Sequence, residues 1–230
     1  MGECLFARRG VVHIAPFGLK PDFADNTWAE VILACQKNRV PDTWEVGDQM
    51  PLTINGKSYV IDIIGKNHDD YADGSGKAPL TFQLHDLYTG IYKLNETETN
   101  SGGWRTCTMR TDELPAILTK MPAEVQAGIR AVNKLTGAGN GSGAIRTTAD
   151  KLFLLSVAEL FGAPDSTAAG EGAQYTYYAE GNSKSKKSSN WWTRSPDIES
   201  STLFRAVTPS GGLVNSSATS VLPISFAFCF

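Results

Sequence analysis

Between Ser195 and Phe230 the chain carries no Lys, Gln, Met, His, Tyr or Trp and only one glutamate, Glu199. An aromatic block stands at each side of this stretch. Trp191-Trp192-Thr193-Arg194-Ser195-Pro196 opens it, and Ile224-Ser225-Phe226-Ala227-Phe228-Cys229-Phe230 closes it. Chain ends usually fray into polar tails, so a close made of buried-type residues predicts a last strand locked into a core. On that strand Phe226 and Phe228 share one face. The W-W-T-R-S-P block predicts a second core strand, with Arg194 held by buried acceptors. Successive strand side chains point to opposite faces, so only one of the two Trp need be core and the other is available as the floor of a binding site. The stretch between the blocks mixes charge, size and branching without a period. It predicts loops whose side chains are free to differ.

Further blocks lie upstream: Ile63-Ile64-Gly65-Lys66-Asn67-His68-Asp69-Asp70, Asn100-Ser101-Gly102-Gly103-Trp104, Met109-Arg110 and Asp150-Lys151-Leu152-Phe153-Leu154-Leu155-Ser156. In this order, from Trp28 to Phe230, the chain resembles the variable proteins of diversity-generating retroelements. It is most similar to phage-borne and gut-bacterial members that end in W-W-x-R-S-P and a short aromatic strand. The resemblance implies an α+β fold of the C-type-lectin-like class, formylglycine-generating-enzyme-like subtype, with short, mostly antiparallel strands and a few helices. It also implies a hypervariable ligand-binding surface within residues 191–230. Such retroelements mutate template adenines, so varied sites draw on residues reachable from Asn-type codons, which exclude Lys, Gln, Glu, Met and Trp. The composition fits, with Glu199 as an invariant position.

The expected ligand-binding residues are Asp197, Ile198, Ser201, Leu203, Phe204, Arg205, Thr208, Leu213, Asn215, Thr219 and Leu222. Exposed Ile198, Leu203, Phe204 and Leu213 supply apolar contact area, and Asp197, Arg205 and Asn215 polar selectivity. Ile198, Leu203, Arg205, Thr208, Leu213, Asn215, Thr219 and Leu222 are expected to be mostly exposed on one contiguous surface, because core positions do not tolerate many residues. The implied partner is a macromolecule on a bacterial surface, protein or glycan. The implied setting is a virion tail or cell surface, after synthesis in a bacterial cytoplasm without a signal peptide. No cofactor, catalytic residue or metal ligand is expected, and calcium is not required. Two other readings stay open: an enzyme of the formylglycine-generating or sulfur-transfer type on the same scaffold, and an invariant structural virion component.

Bulk properties narrow the classes. A chain of 230 residues with 41% hydrophobic and 20% charged residues is globular in composition. Its net charge of −3 gives no general attraction to nucleic acid. The basic run Lys184-Ser185-Lys186-Lys187 sits among Ser, Asn and Gly and predicts a solvated loop, with phosphate binding as the alternative. The four cysteines, Cys4, Cys35, Cys107 and Cys229, show no metal-ligand spacing and no disulfide framework. Cys35 and Cys229, in apolar company, are expected to be buried. No stretch approaches a membrane-spanning length, and the N-terminus has no secretory h-region.

Along the chain, residues 1–21 form a lead-in to a single domain, 1–230. Trp28, Val31, Ile32 and Cys35 fall on one helical face after the N-cap candidates Asp25-Asn26-Thr27. Asn55-Gly56 between Gln49–Ile54 and Lys57–Ile64 is a hairpin signal. Leu80–Leu84 alternates, which suggests a strand, with a short helix as the alternative. Leu114, Ile117, Leu118 and Met121 predict a helix over 112–120, with Pro115 in its first turn. Pro122 is expected at N1 of a second helix carrying Val125, Ile129 and Val132 and stopped by Gly137. Gly137–Gly143 reads as a flexible turn, since it lacks the Lys-Ser/Thr of a phosphate loop. Lys151–Leu155 reads as a buried strand, and Ser156-Val157-Ala158-Glu159 as a capping box opening a helix through Phe161. Residues 162–190 read as loop-rich.

His68-Asp69-Asp70 with Asp73 is the most enzyme-like cluster, able in principle to bind a metal or supply a base. The competing reading is a strand-end turn in which the carboxylates bond locally, and it is favoured because the calcium-hand spacing is missing. His13 and His85 stand alone. Ser156 and Ser195 lie outside any nucleophile motif. Asn95-Glu96-Thr97 fits a glycosylation acceptor, which means little without a signal peptide.

Overall fold

The computed structural model describes residues 18–186 and 189–230. Cys4, His13, Lys187 and most of the lead-in lie outside the described residues. The chain is a mixed α+β fold with antiparallel sheets and short helices.

Helix α1, Trp28–Gln36, starts at a capping box in which Thr27 and Glu30 satisfy each other's backbone amides. Its buried stripe, Trp28, Val31, Ile32 and Cys35, is the one the sequence predicts. Strands β1 (Gln49–Ile54) and β2 (Lys57–Lys66) form a hairpin. Its Asn55 and Gly56 both have positive φ, 49° and 75°, which the two-residue turn requires. Strand β3, Leu80–Leu84, pairs with β2. Its alternation does not mark an exposed face: Thr81 and Gln83 are buried too, bonded to Asp69 and Tyr178.

The middle of the chain holds α2 (Gly103–Thr106), a π-helical turn (Met109–Glu113), α3 (Leu114–Leu118) and α4 (Ala123–Gly128). The helix expected through Val132 stops early. Pro122 is its N-cap rather than N1, and the chain turns into strand β4, Val132–Gly139. Inward Val132, Lys134 and Thr136 alternate with outward Asn133 and Leu135. Two of the inward residues are polar, which hid a period of two. Gly137–Gly143 is likewise no flexible turn, because β4 and β5 (Ser142–Asp150) pair through Gly137 and Gly139. A Cβ at Gly139 would lie 1.8 Å from the Asn100 carbonyl oxygen, so the 100–103 turn packs on β4 only because glycine stands there.

Strand β6 (Leu152–Leu154) and the capped helix α5 (Val157–Phe161) follow as expected. The loop-rich stretch contains a short helix, α6, Thr176–Ala179. The basic run is not a solvated loop. Lys186 is buried and donates to the carbonyls of Leu84 and His85, and Lys184 lies over the rings of Phe161 and Tyr178. The aliphatic stems and charge-assisted bonds dock this segment despite its composition.

The last forty residues build β7 (Trp191–Pro196), β8 (Leu203–Val207), β9 (Leu213–Ser217) and β10 (Phe226–Cys229). Strands β7–β8–β9 form a three-stranded sheet, while β10 enters the five-stranded sheet between β3 and β6, in the order β1-β2-β3-β10-β6. The last strand is therefore interior. Phe226 and Phe228 are fully buried, Phe228 opposite Phe82. Buried apolar side chains from Leu19 to Phe230, Cys35 and Cys229 among them, form one connected cluster.

Candidate ligand-binding surface

The site is built on a charged floor. Arg194 of β7 is fully buried. Its Nε donates to Thr136 Oγ1 at 2.8 Å, and its Nη atoms donate to the carbonyls of Leu154, Leu135 and Glu171 and to both carboxylate oxygens of Glu159. Glu159 also accepts from Lys134 Nζ at 2.6 Å. That ammonium is shared with Asp69 at 2.6 Å and with the Tyr175 hydroxyl at 3.0 Å, which fills its three donors. Burial alone would push the Asp69 carboxyl up, but Lys134 and the Thr81 hydroxyl outweigh it and hold Asp69 at about 2. Burial likewise opposes the charges of Glu159, Lys134 and Arg194, and their mutual attraction prevails: Glu159 is lowered, Lys134 and Arg194 raised. Glu171 differs. Burial carries it up to about 7 against the bonds from the Ser195 hydroxyl and the Gly137 amide.

One of the enzyme-like candidates belongs to this network. Asp69 is a network member, Asp70 pairs with exposed Lys77, Asp73 pairs with Arg130, and His68 stacks on Tyr175 with ring centroids 4.0 Å apart. Asp70 and Asp73 thus pair with surface cations, while His68 and Asp69 meet at Tyr175, whose hydroxyl donates to Asp69. Ser156 caps α5 and Ser195 bonds Glu171. Asn95 is buried, bonded to the Thr99 carbonyl and the Thr108 amide. Among the described residues, no group of three or more His, Cys, Asp and Glu is placed to hold a metal, and no helix is long and apolar enough to cross a membrane.

Above the floor, one residue sets the path of the segment after β7. Asn100 Nδ2 donates to the carbonyls of Asp197 (3.0 Å), Ser200 (2.8 Å) and Leu203 (2.8 Å), while its Oδ1 accepts from the Asn140 amide. The Asn100 amide donates to the Ser201 carbonyl. The bonds from Asn100 to the segment all use backbone atoms of 197–203, and within the loop Asp197 and Ser200 accept the amides of Glu199 and Thr202.

The expected contact residues are placed unevenly. Strand pairing sets Leu203, Arg205, Asn215 and Leu213 on one face, with Arg205 opposite Asn215 and Leu203 opposite Ser217. Ser201 and Asn215 are exposed, and Ile198, Leu203, Thr208, Leu213, Thr219 and Leu222 are half-buried. Three residues are corrected: Asp197, Phe204 and Arg205 are buried. Phe204 lies one residue out of phase with Leu203 and Arg205, so the period of two turns it into the core. Asp197 folds back to accept the Glu199 amide. Arg205 lies along the sheet with one Nη donating to Asn215 Oδ1. The expectation of a mostly exposed set is too strong, since most of these side chains show only part of their surface. Thr208 is tied into the β8–β9 turn by Ser210 and Gly212, and Leu222 pairs with Tyr92, so neither touches the Arg205 cluster. Trp191 and Trp192 are both buried, their indole N–H groups bonded to the carbonyls of Lys184 and Tyr92. Neither is a binding floor.

Sequence reasoning missed Asn100, Lys134, Glu171 and Asp165. Only Asn100 stood in a recognised block. The others carry no local signal, because their partners are remote in sequence.

Residues 80–227 match the model of a family described as a domain of unknown function, DUF6273. The chain belongs to this family. The DUF6273 match starts with β3 and ends within β10, so it takes in the Asn100 turn, Lys134, Glu159, Glu171 and Arg194 of the charged floor and the β7–β8–β9 sheet, and leaves out Asp69, α1, β1 and β2. No curated protein and no solved structure matches the chain.

Proposed function

We propose that the protein is a ligand-binding module of the retroelement-diversified kind: a C-type-lectin-like scaffold that displays altered side chains on its β7–β8–β9 end. The observation that carries this reading is the Asn100 clamp. A residue outside the segment fixes residues 197–203 through their backbone, so side chains there other than Asp197 and Ser200, which cap the loop's own amides, can change without moving the chain. The composition of 197–222 and the interior placement of the flanking aromatic strands support the same reading. Binding is then surface complementarity, with Leu203 and Leu213 giving apolar contact and Asn215 and Arg205 polar selectivity. The partner is a macromolecule on a bacterial surface, and the module is carried on a virion or a cell surface.

The buried thiols weigh against sulfur-transfer chemistry. Burial pushes Cys107 up to about 12 and Cys35 and Cys229 up as well, so none of these three, the cysteines among the described residues, is poised as a thiolate. The deciding test is genomic. A near-copy of the DNA for the C-terminal segment, beside a reverse-transcriptase gene and differing at adenines, is the expected finding. A locus without either element would remove the diversification reading.

A further inference from the structure

Arg205 is nearly buried, at 8% exposure, yet it is poorly bonded. Its Nε has no hydrogen-bond partner among the described residues. Its contacts to Asp165 (3.3 Å) and Asp197 (3.7 Å) are longer than charge-assisted bonds normally are. Asp197 is fully buried, and its Oδ2 has no hydrogen-bond partner beyond that long contact to Arg205. The hydroxyl of Thr167 is unpartnered as well. Thr167 belongs to the stretch that reaches Arg205 through Asp165 and Ile198 through the Ser166 carbonyl. Buried polar atoms are normally satisfied, and each that is not costs stability, so three such atoms in one region call for an explanation.

The surroundings supply the sign. Glu199 is exposed beside Asp197, and Glu98 accepts from Ser217 on the same face as Arg205. The carboxylates of Asp165 and Asp197 thus both face the single guanidinium of Arg205. An excess of carboxylate with one loosely held cation attracts a second cation.

We infer that Asp165, Asp197 and Asn215 form a cation subsite in which Arg205 is an internal stand-in. The occupant is an arginine or lysine side chain presented by a partner polypeptide, which displaces Arg205 outward and bonds the carboxylates more closely. This rests on the ligand-binding reading above and names the chemistry that it selects. Arg105 and Arg146 line a separate cleft with Gly102, Thr106 and Ala138, which provides a measurable competing preference for anions.

The test is calorimetric titration of the whole chain with hexa-arginine, hexaglutamate and maltohexaose at low salt. Hexa-arginine is expected to bind, more weakly as salt rises. Asp165→Asn, an exposed position, should weaken it by about fivefold, while Arg205→Ala should tighten it by removing the internal competitor. Absence of hexa-arginine binding, binding that neither substitution changes, or a preference for hexaglutamate or maltohexaose would each overturn the inference. Should Arg205→Ala fold too poorly to titrate, its melting temperature is followed with methylguanidinium at concentrations harmless to the wild type. Recovery that Asp165→Asn abolishes supports a cation subsite, and no recovery contradicts it. None of these outcomes bears on whether the locus carries a template repeat, so the two proposals fail separately.

Discussion

Arg194 and Arg205 sit on neighbouring strands of one sheet and are held in opposite ways. Arg194 has every nitrogen bonded, by the Thr136 hydroxyl, by three backbone carbonyls and by the Glu159 carboxylate. Arg205 has a bond to Asn215, two long contacts to carboxylates and a bare Nε. The first arginine ties β7 to β4, β6 and α5 and belongs to the framework. The second touches mainly residues of its own sheet and of the adjoining loop. A scaffold that carries changing side chains needs this separation: fully satisfied polar groups fix the frame, and the displayed face is left under-bonded.

The largest expected effect breaks the comparison at its strongest point. Arg194→Ala leaves Glu159 buried with half its partners gone and should cost about 3–5 kcal/mol, enough to threaten folding, whereas Arg205→Ala should cost at most about 2 kcal/mol. Urea denaturation of both variants measures this, and equal losses would erase the distinction. Trp192→Ala should likewise cost about 3–5 kcal/mol, while Leu213→Ala, on the half-exposed face, should cost about 1 kcal/mol. A Trp192 variant that melts with the wild type would take Trp192 out of the core.

Glu171 gives a smaller effect with a defined sign. Its carboxyl rises from an ordinary 4.5 to about 7 on folding. The folded state therefore keeps a proton that the unfolded state releases, and this group's contribution to stability is lost as pH climbs from 4.5 to about 7. Glu171→Gln should remove that loss, on the order of 3 kcal/mol, so the variant gains on the wild type as pH rises. Parallel melting curves for the two proteins between pH 5 and pH 8 would show that Glu171 is not held protonated.

What the sequence made legible follows from how local each cause is. The α1 face, the Asn55-Gly56 turn, the Ser156 cap and the interior final strand rest on signals within a few residues, and all are found. Strand β4 was unreadable because its inward side chains, Lys134 and Thr136, are polar and become core only through Asp69, Glu159 and Arg194. The docking of Lys186 depends on carbonyls a hundred residues away. In the candidate site, the shared face of Leu203, Arg205, Leu213 and Asn215 follows from strand pairing, which the loop-like composition concealed. The burial of Phe204 depends on that same pairing.

The most direct measurement replaces Leu203, Leu213, Asn215 and Thr219 together, leaving Arg205 and Asp197 in place. With the backbone of the segment held by Asn100 and the frame by Arg194, the melting temperature should move by only a few degrees while ligand selectivity changes. A collapse comparable to that of Trp192→Ala would show that these side chains hold the fold, and the separation of frame from displayed surface would be wrong.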